Sequence, residues 1–399
     1  MREQKVLFIG HNASRSGAPL VLFELIRWLS ANSSIKSEVL LERGGPLLAE
    51  YGSTVPTHCI QDCDRTWLLR KLGRFYRKSL RTKLGSIYLR LRYPIEKYPV
   101  IYANTIATLD LAMRMAGPNR YVIQHIHEMA YVTECFGATG SLRNSAAVTD
   151  IYVAVSEAVK KFLMDNIFVP EEKIRVIGGF PVARSCEEGS GVNPSIRRDL
   201  EIPEDAFVIG MCGTPEWRKG IDLFVHLMVE IKKTHEGGAC HFIWLGGEER
   251  AFDAVRFDIA RLGLQECCHL IPAVANPQAY YEAFDLFALT SREDPFPLVM
   301  LEAAACGLPI VCFAESGGAP ELVGEDAGVV VPYLDVAAMA QACIGLYRDN
   351  LLRQRLGSDA RAKVKTEYLL AVQGPKINTL IKFAFESLAI HASKFGNIS

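Results

Sequence analysis

Short apolar runs that end in glycine or a polar turn, and then pass straight into a helical pattern, recur along this chain. Residues 6–10 lead into a turn at 11–17 and a helical pattern at about 19–29; residues 207–212 lead into 213–220 and a helix at 221–233. Residues 310–313 repeat the arrangement with a glycine turn at 315–321. Further apolar runs at 37–41, 99–103, 121–124, 151–155, 174–177, 241–245, 269–272 and 285–289 fall between helical patterns. Strands alternating with helices pair in parallel, and such sheets are covered on both faces, so their strands are apolar throughout. The expected fold class is α/β with doubly wound parallel sheets. At 399 residues the chain exceeds one ordinary core, and two domains are expected.

The most informative stretch is 291–309. It reads as a short helix, with Pro297 suited to the first helical position, where no amide donor is needed, and Gly307 and Pro309 as the stop. Between Pro295 and Ala314 the sole charged residue is Glu302, on one face with Leu298, Val299, Ala305 and Cys306. A carboxylate on so apolar a helix is costly to bury unless a hydrogen-bonding group meets it. Asp294 lies upstream in the loop that feeds the helix, so two acids flank a helix N-terminus whose free amides can hold an anion such as a diphosphate.

This spacing of Asp294 and Glu302 resembles the signature of the retaining GT4-type (group 1) glycosyltransferases, which have the GT-B fold of two Rossmann-like domains facing across a cleft. The resemblance covers nearly all of the chain and is densest from Asp205 to Tyr333. It implies that Glu302 holds the ribose of a nucleotide-sugar donor and that Asp294 lies by the transferred sugar; the family usually has Glu where Asp294 stands. In the loop at 213–220 the family has an Arg directly after the glycine and a Lys six residues after it, both on the donor phosphates. Here Gly213 and Lys219 are in place, Thr214 replaces the Arg, and Arg218 is the candidate to compensate. A cation at a helix start opposes the helix dipole, which a bound anion would explain for Lys219. Gly17, Phe296 and the amides of Leu298 and Val299 complete the donor set that the resemblance implies. It further implies a metal-independent transfer without a cofactor, in which neither acid is a covalent nucleophile.

In the first half, polar residues stand at the ends of expected parallel strands, where open α/β sheets bind ligands. They include Asn104 after 99–103, His125 and His127 after 121–124, and Ser156 after 151–155. The family carries a histidine beside the donor sugar at this place, and His127, followed by Glu128, is the better match, with His125 left open. Asn104 and Ser156 are acceptor-side candidates. The domains expected are 1–185 on the acceptor side, a linker at 186–205, a nucleotide-sugar domain at 206–372, and a closing helix within 373–399, about 376–390, that crosses back if the GT-B resemblance holds.

A net charge of −1 argues against a nucleic-acid partner, and no apolar run approaches the length of a membrane span. A core strand beginning near residue 6 leaves no room for a signal peptide. Eleven cysteines without metal-type spacing fit reduced thiols and a cytoplasmic protein. Residues 65–95 are rich in Lys and Arg, with Asp and Glu absent from Arg65 to Ile95, and with leucines at near-helical spacing; such a segment suits the anionic inner face of a membrane, a solvated helix face or a phosphorylated acceptor. The Asp62–Cys63–Asp64 triplet could serve a metal in the other major glycosyltransferase fold, but the long α/β nucleotide domain which that fold places before it is missing here. The expected reaction moves a sugar from a UDP- or GDP-sugar to a hydroxyl of a glycan or lipid-linked acceptor in surface polysaccharide synthesis. The alternatives are a nucleotide-sugar epimerase or hydrolase of the same fold, and a non-catalytic partner subunit that binds donor.

Overall fold

A computed structural model describes residues 5–60, 83–181 and 194–395. The Asp62–Cys63–Asp64 triplet, residues 65–82 of the basic segment and residues 186–193 of the expected linker lie outside the described residues. The chain divides into two compact units, one comprising Met1–Gly178 with Leu370–Ser399 and the other Gly179–Leu369.

The first unit holds seven parallel strands: β1 Lys5–Gly10, β2 Lys36–Leu41, β3 Thr57–Cys59, β4 Val100–Asn104, β5 Tyr121–Ile126, β6 Ile151–Ala154 and β7 Ile174–Val176. Their order is β3-β2-β1-β4-β5-β6-β7. Every side chain of β4 and β5 is buried, as a sheet covered on both faces requires. Successive strands run outward from β1 in one direction and then, from β4 onward, in the other. The crevice at the carboxyl ends of β1 and β4 is therefore the topological switch point, where open sheets of this kind take ligands. The helix Gly17–Asn32 follows β1 and buries Leu22, Leu25, Ile26 and Leu29, one stripe of a 3.6-residue period.

The second unit holds six parallel strands: β8 Phe207–Cys212, β9 Cys240–Leu245, β10 Cys268–Ile271, β11 Leu286–Leu289, β12 Ile310–Phe313 and β13 Gly328–Val331. Their order, β10-β9-β8-β11-β12-β13, puts the switch point between β8 and β11. The strands expected from the apolar runs are present, and β3 and β13, three and four residues long, were not among them.

Three local expectations change. Residues 194–199, within the stretch read as linker, form a helix whose Arg197 pairs with Asp285 at 2.8 Å. Pro297 is not the first helical residue but the extended N-cap of the helix Leu298–Ala305. The last helix runs from Leu370 to Phe395, longer than the 376–390 of the sequence pattern, with Pro375 inside its second turn. It belongs with the first unit, where the Asn378 side chain accepts from the Ser33 hydroxyl at 2.8 Å. Among the described residues no helix is long and apolar enough to cross a membrane.

Candidate functional site

In the second unit, three loops meet at the carboxyl edge of β8, β11 and β12. The loop after β8 begins at Gly213, whose carbonyl accepts from the Trp244 indole at 2.9 Å, and ends in the short turn Trp217–Lys219 and a left-handed Gly220. A Cβ on Gly220 would overlap the carbonyl oxygen of Thr290, so only glycine lets this loop lie against the one after β11. The contact is locked again by the amide of Arg292, which donates to the carbonyl of Arg218 at 2.8 Å. Arg292 also grips both carboxylate oxygens of Asp222, at 2.8 and 2.6 Å, and lies over the Trp217 ring.

This packing brings Lys219 onto Asp294. The ammonium donates to the carboxylate oxygen Oδ2, and the Lys219 stem runs alongside Gly213. The sequence suggested a bound anion beside Lys219; in the structure the ammonium is offset by a carboxylate of the chain itself, Asp294. Asp294 is buried, so its charge needs such a partner. Its backbone is held from the other side by the loop after β12: its amide donates to the carbonyl of Ser316 at 2.6 Å, and its carbonyl accepts from Gly318 at 3.1 Å. Arg218 is spent chiefly on the chain itself, donating to the carbonyl of Glu293 and to Glu216, each at 3.0 Å, with its guanidinium 3.9 Å from Asp294 Oδ1. Thr214 is exposed on the same loop.

Downstream, the helix Leu298–Ala305 buries Met300, Leu301, Ala303 and Ala304 and leaves Leu298, Val299 and Glu302 partly open. The amides of Leu298 and Val299, in the first turn, have no acceptor within the helix. Phe296 is buried and stacks on Tyr368 at 5.3 Å between ring centroids, which leaves its backbone rather than its ring for a ligand. The group that meets Glu302 is Tyr281, whose hydroxyl donates to Oε2 at 3.0 Å. Burial still pushes the Glu302 carboxyl up to about 7, against the pull of that hydrogen bond. Tyr281 carried no local signal in the sequence: it is one of two adjacent tyrosines on a one-turn helix, and its relation to Glu302 is purely tertiary.

In the first unit, a second polar cluster sits at the carboxyl ends of β4 and β5. The Asn104 amide donates to the carbonyl of Ala18 at 3.1 Å, leaving its oxygen 2.9 Å from His127 Nε2. That oxygen can only accept, so Nε2 carries the proton and Nδ1 is left with its lone pair. Burial holds the His127 ring down to about 3, and the neighbouring His11 opposes a charge there as well. His125 is fully enclosed and tied to the Tyr102 hydroxyl at 2.7 Å, whereas His127 keeps some exposure. Glu128 accepts from the amides of Ile106 and His127, at 3.2 and 3.0 Å, and burial raises its carboxyl to about 7. Between these groups Thr105 is held at a φ of 79°, a left-handed conformation that a β-branched residue rarely adopts. Ser156 is buried as the N-cap of the helix Glu157–Phe162, its hydroxyl accepting from Val159 at 3.1 Å. Gly17 opens the first helix at a φ of 41° with open space around it. Thr105 and the holding role of Glu128 were not foreseen, because neither backbone strain nor a bond to a distant amide leaves a sequence signature.

Residues 206–349, which contain all three loops of the second unit, match the family described as "Glycosyl transferases group 1". The chain is related to the group 1 glycosyltransferases. A GDP-mannose-dependent monoacylated alpha-(1-6)-phosphatidylinositol monomannoside mannosyltransferase of Corynebacterium glutamicum is 23% identical over 292 residues, 70% of this chain and 74% of that protein. A D-inositol 3-phosphate glycosyltransferase of Corynebacterium jeikeium is 31% identical over 196 residues, 47% of this chain and 46% of that one. The chain spans 58% and 53% of two further curated relatives, the capsular polysaccharide glycosyltransferase CapM of Staphylococcus aureus and the lipopolysaccharide core glycosyltransferase LpsD of Rhizobium meliloti. Among solved structures, Anabaena HepE in complex with UDP aligns with a TM-score of 0.77 at 21% identity, covering 95% of this chain and 100% of that one. The fold is GT-B, as the group 1 resemblance implied.

Proposed function

We propose that this chain is a retaining glycosyltransferase that moves a sugar from a UDP- or GDP-sugar to a hydroxyl of a glycan or lipid-linked acceptor, in surface polysaccharide synthesis. The observation that carries the reading is the convergence at one switch point of Lys219 on Asp294, the open first turn of the helix Leu298–Ala305, and Glu302 with its partly open carboxylate. A diphosphate needs a cation and free amides; a ribose needs an acceptor for its hydroxyls. Both requirements fall on neighbouring residues of this unit. The UDP bound in Anabaena HepE and the GDP-mannose in the name of the C. glutamicum relative support either donor base.

In this reading Glu302 accepts from the ribose, while Lys219 and the amides of Leu298 and Val299 meet the charge that grows on the leaving diphosphate. Gly213 and Thr214 let the phosphates approach the backbone of the second unit; Gly17, in the first unit, is assigned to the donor by the group 1 resemblance alone. Arg218 holds the Asp294 loop and contributes its positive field, in partial replacement of the cation absent at Thr214. The bond from the anomeric carbon to the phosphate oxygen breaks as the acceptor oxygen bonds to the same face, and the acceptor's proton passes to the departing phosphate. In the second unit Asp294 positions and stabilises the sugar; in the first unit Asn104 fixes the neutral imidazole of His127, the histidine that the group 1 resemblance assigns to the donor sugar, and Ser156 supports the acceptor side through its helix. No metal is required in this scheme. The basic segment 65–95 brings the protein to an anionic membrane surface on the cytoplasmic side.

The test is the stereochemistry of transfer. Purified protein is given UDP-glucose or GDP-mannose with acceptor glycans, and the anomeric coupling of the product is read by NMR. A product with the donor's anomeric configuration is expected. An inverted product would refute retention, free sugar or an epimer without acceptor would support the hydrolase or epimerase reading, and binding without any turnover would support a partner subunit.

A further inference from the structure

Glu302 is a singular carboxylate, because its two oxygens are in different situations. Oε2 accepts from Tyr281 at 3.0 Å, and among the described residues Oε1 has no protein donor. Tyr281 is itself immobilised: it is fully buried, with edge contacts to Phe284 and Phe287 at centroid distances of 5.9 and 6.2 Å. The Cys212 thiol, at the end of β8 and immediately before Gly213, is a neighbour of the same hydroxyl.

We infer that Tyr281 is a positioning residue for donor binding: its hydroxyl occupies one oxygen of Glu302 and so presents the other, as an acceptor, to the ribose of a nucleoside diphosphate. This rests on the reading of Glu302 as the ribose-binding acid. A phenol donates well to a carboxylate and gains little from a carboxylic acid, so the same bond that orients Glu302 also favours its charged form. Among the described residues around Glu302, Tyr281 comes from the one-turn helix Gln278–Tyr281 and Cys212 from β8, with Lys219 acting on the same thiol. Arg361 of the helix Asn350–Lys363 is engaged at the far end of the Glu302 helix, on the carbonyls of Ala305 and Cys306, and the turn Val364–Tyr368, with Lys365, Glu367 and Tyr368, packs on that helix. Among the described residues none of these cations makes an ion pair with Glu302, and its hydrogen-bond donor is Tyr281.

Tyr281→Phe keeps the ring and removes only the donor. The 399-residue chain is titrated calorimetrically with UDP and with GDP from pH 6 to 9, as wild type, Tyr281→Phe, Glu302→Ala, Glu302→Gln and the Tyr281→Phe/Glu302→Ala double variant. If the hydrogen bond is worth about one pKa unit, Tyr281→Phe weakens binding about fivefold at pH 7 and hardly at all at pH 9. Taking the ratio to wild type at each pH cancels the titration of the ligand's own phosphate. Tyr281→Phe added to Glu302→Ala, which has no oxygen to orient, should change affinity little. A loss of equal size at every pH would show that the hydroxyl does not favour the charged form of Glu302 and would overturn the inference, as would wild-type affinity in Tyr281→Phe beside a weakened Glu302→Ala. Unchanged binding in Glu302→Ala, or binding of neither nucleotide, would overturn the donor-site reading and the inference with it.

Discussion

In the proposed function, Glu302 serves binding at the expense of stability. Its carboxyl has an ordinary value of 4.5 and is pushed to about 7 in the folded chain, chiefly by burial. Between those values the folded protein holds the proton more tightly than the unfolded one, so folding becomes less favourable as pH rises through this window. Above about pH 7 the full cost of an ionised, half-buried acid is present; below 4.5 it is gone. Glu302→Gln, whose side-chain oxygen can still accept from Tyr281, is therefore expected to raise the melting temperature by a few degrees at pH 8 and to leave it nearly unchanged at pH 4.5. Scanning fluorimetry at the two pH values checks this, and a larger gain at the acid end would contradict the sign. The same residue was the clearest signal in the sequence, since one charge on an apolar helix demands a partner. The partner's identity was not legible, because Tyr281 lies 21 residues upstream and is brought to Glu302 only by the sheet.

Among the elements, the loops rather than the strands decide what the site can be. Strands and helices of both sheets could be read from apolar runs because parallel strands buried on two faces leave that pattern. The short β3 and β13 escaped because three or four residues of strand look like any loop. The loops are fixed by close backbone approaches. Gly317, at a φ of 126°, packs so tightly on Asp294 that a Cβ there would overlap its carbonyl oxygen. Gly317→Ala should thus push the Asp294 backbone away from Lys219, lowering donor turnover at least about tenfold, a loss of about 1.4 kcal/mol in transition-state stabilisation. Steady-state kinetics beside a melting curve would test it, and unchanged turnover in a folded variant would show that the loop tolerates the shift. The glycine turn was visible in the sequence; its partner, a backbone 23 positions upstream, was not.

For the whole molecule, the notable feature is a chain that begins and ends in the same unit. The helix Leu370–Phe395 joins residues 5–178, so the first unit is complete only after the second has been traversed. Gly374 lies flat against the Trp28 ring, where a Cβ would come within 2.8 Å of Cδ2. Gly374→Ala is expected to wedge this helix off the first one and to destabilise the protein by about 1–3 kcal/mol, read from urea unfolding; equal or higher stability would mean that the ring gives way freely. The residue-level site, the loops and the two-unit fold lead to one claim, that the second unit cleaves a nucleotide-sugar donor at Lys219, Asp294 and Glu302. Its most direct test is nucleoside diphosphate release from UDP-, GDP- and ADP-sugars by wild type, Lys219→Ala and Glu302→Ala in parallel. Release from one donor by the wild type, lost in both variants, is the predicted result; release that persists in both variants would place the chemistry elsewhere and contradict the account.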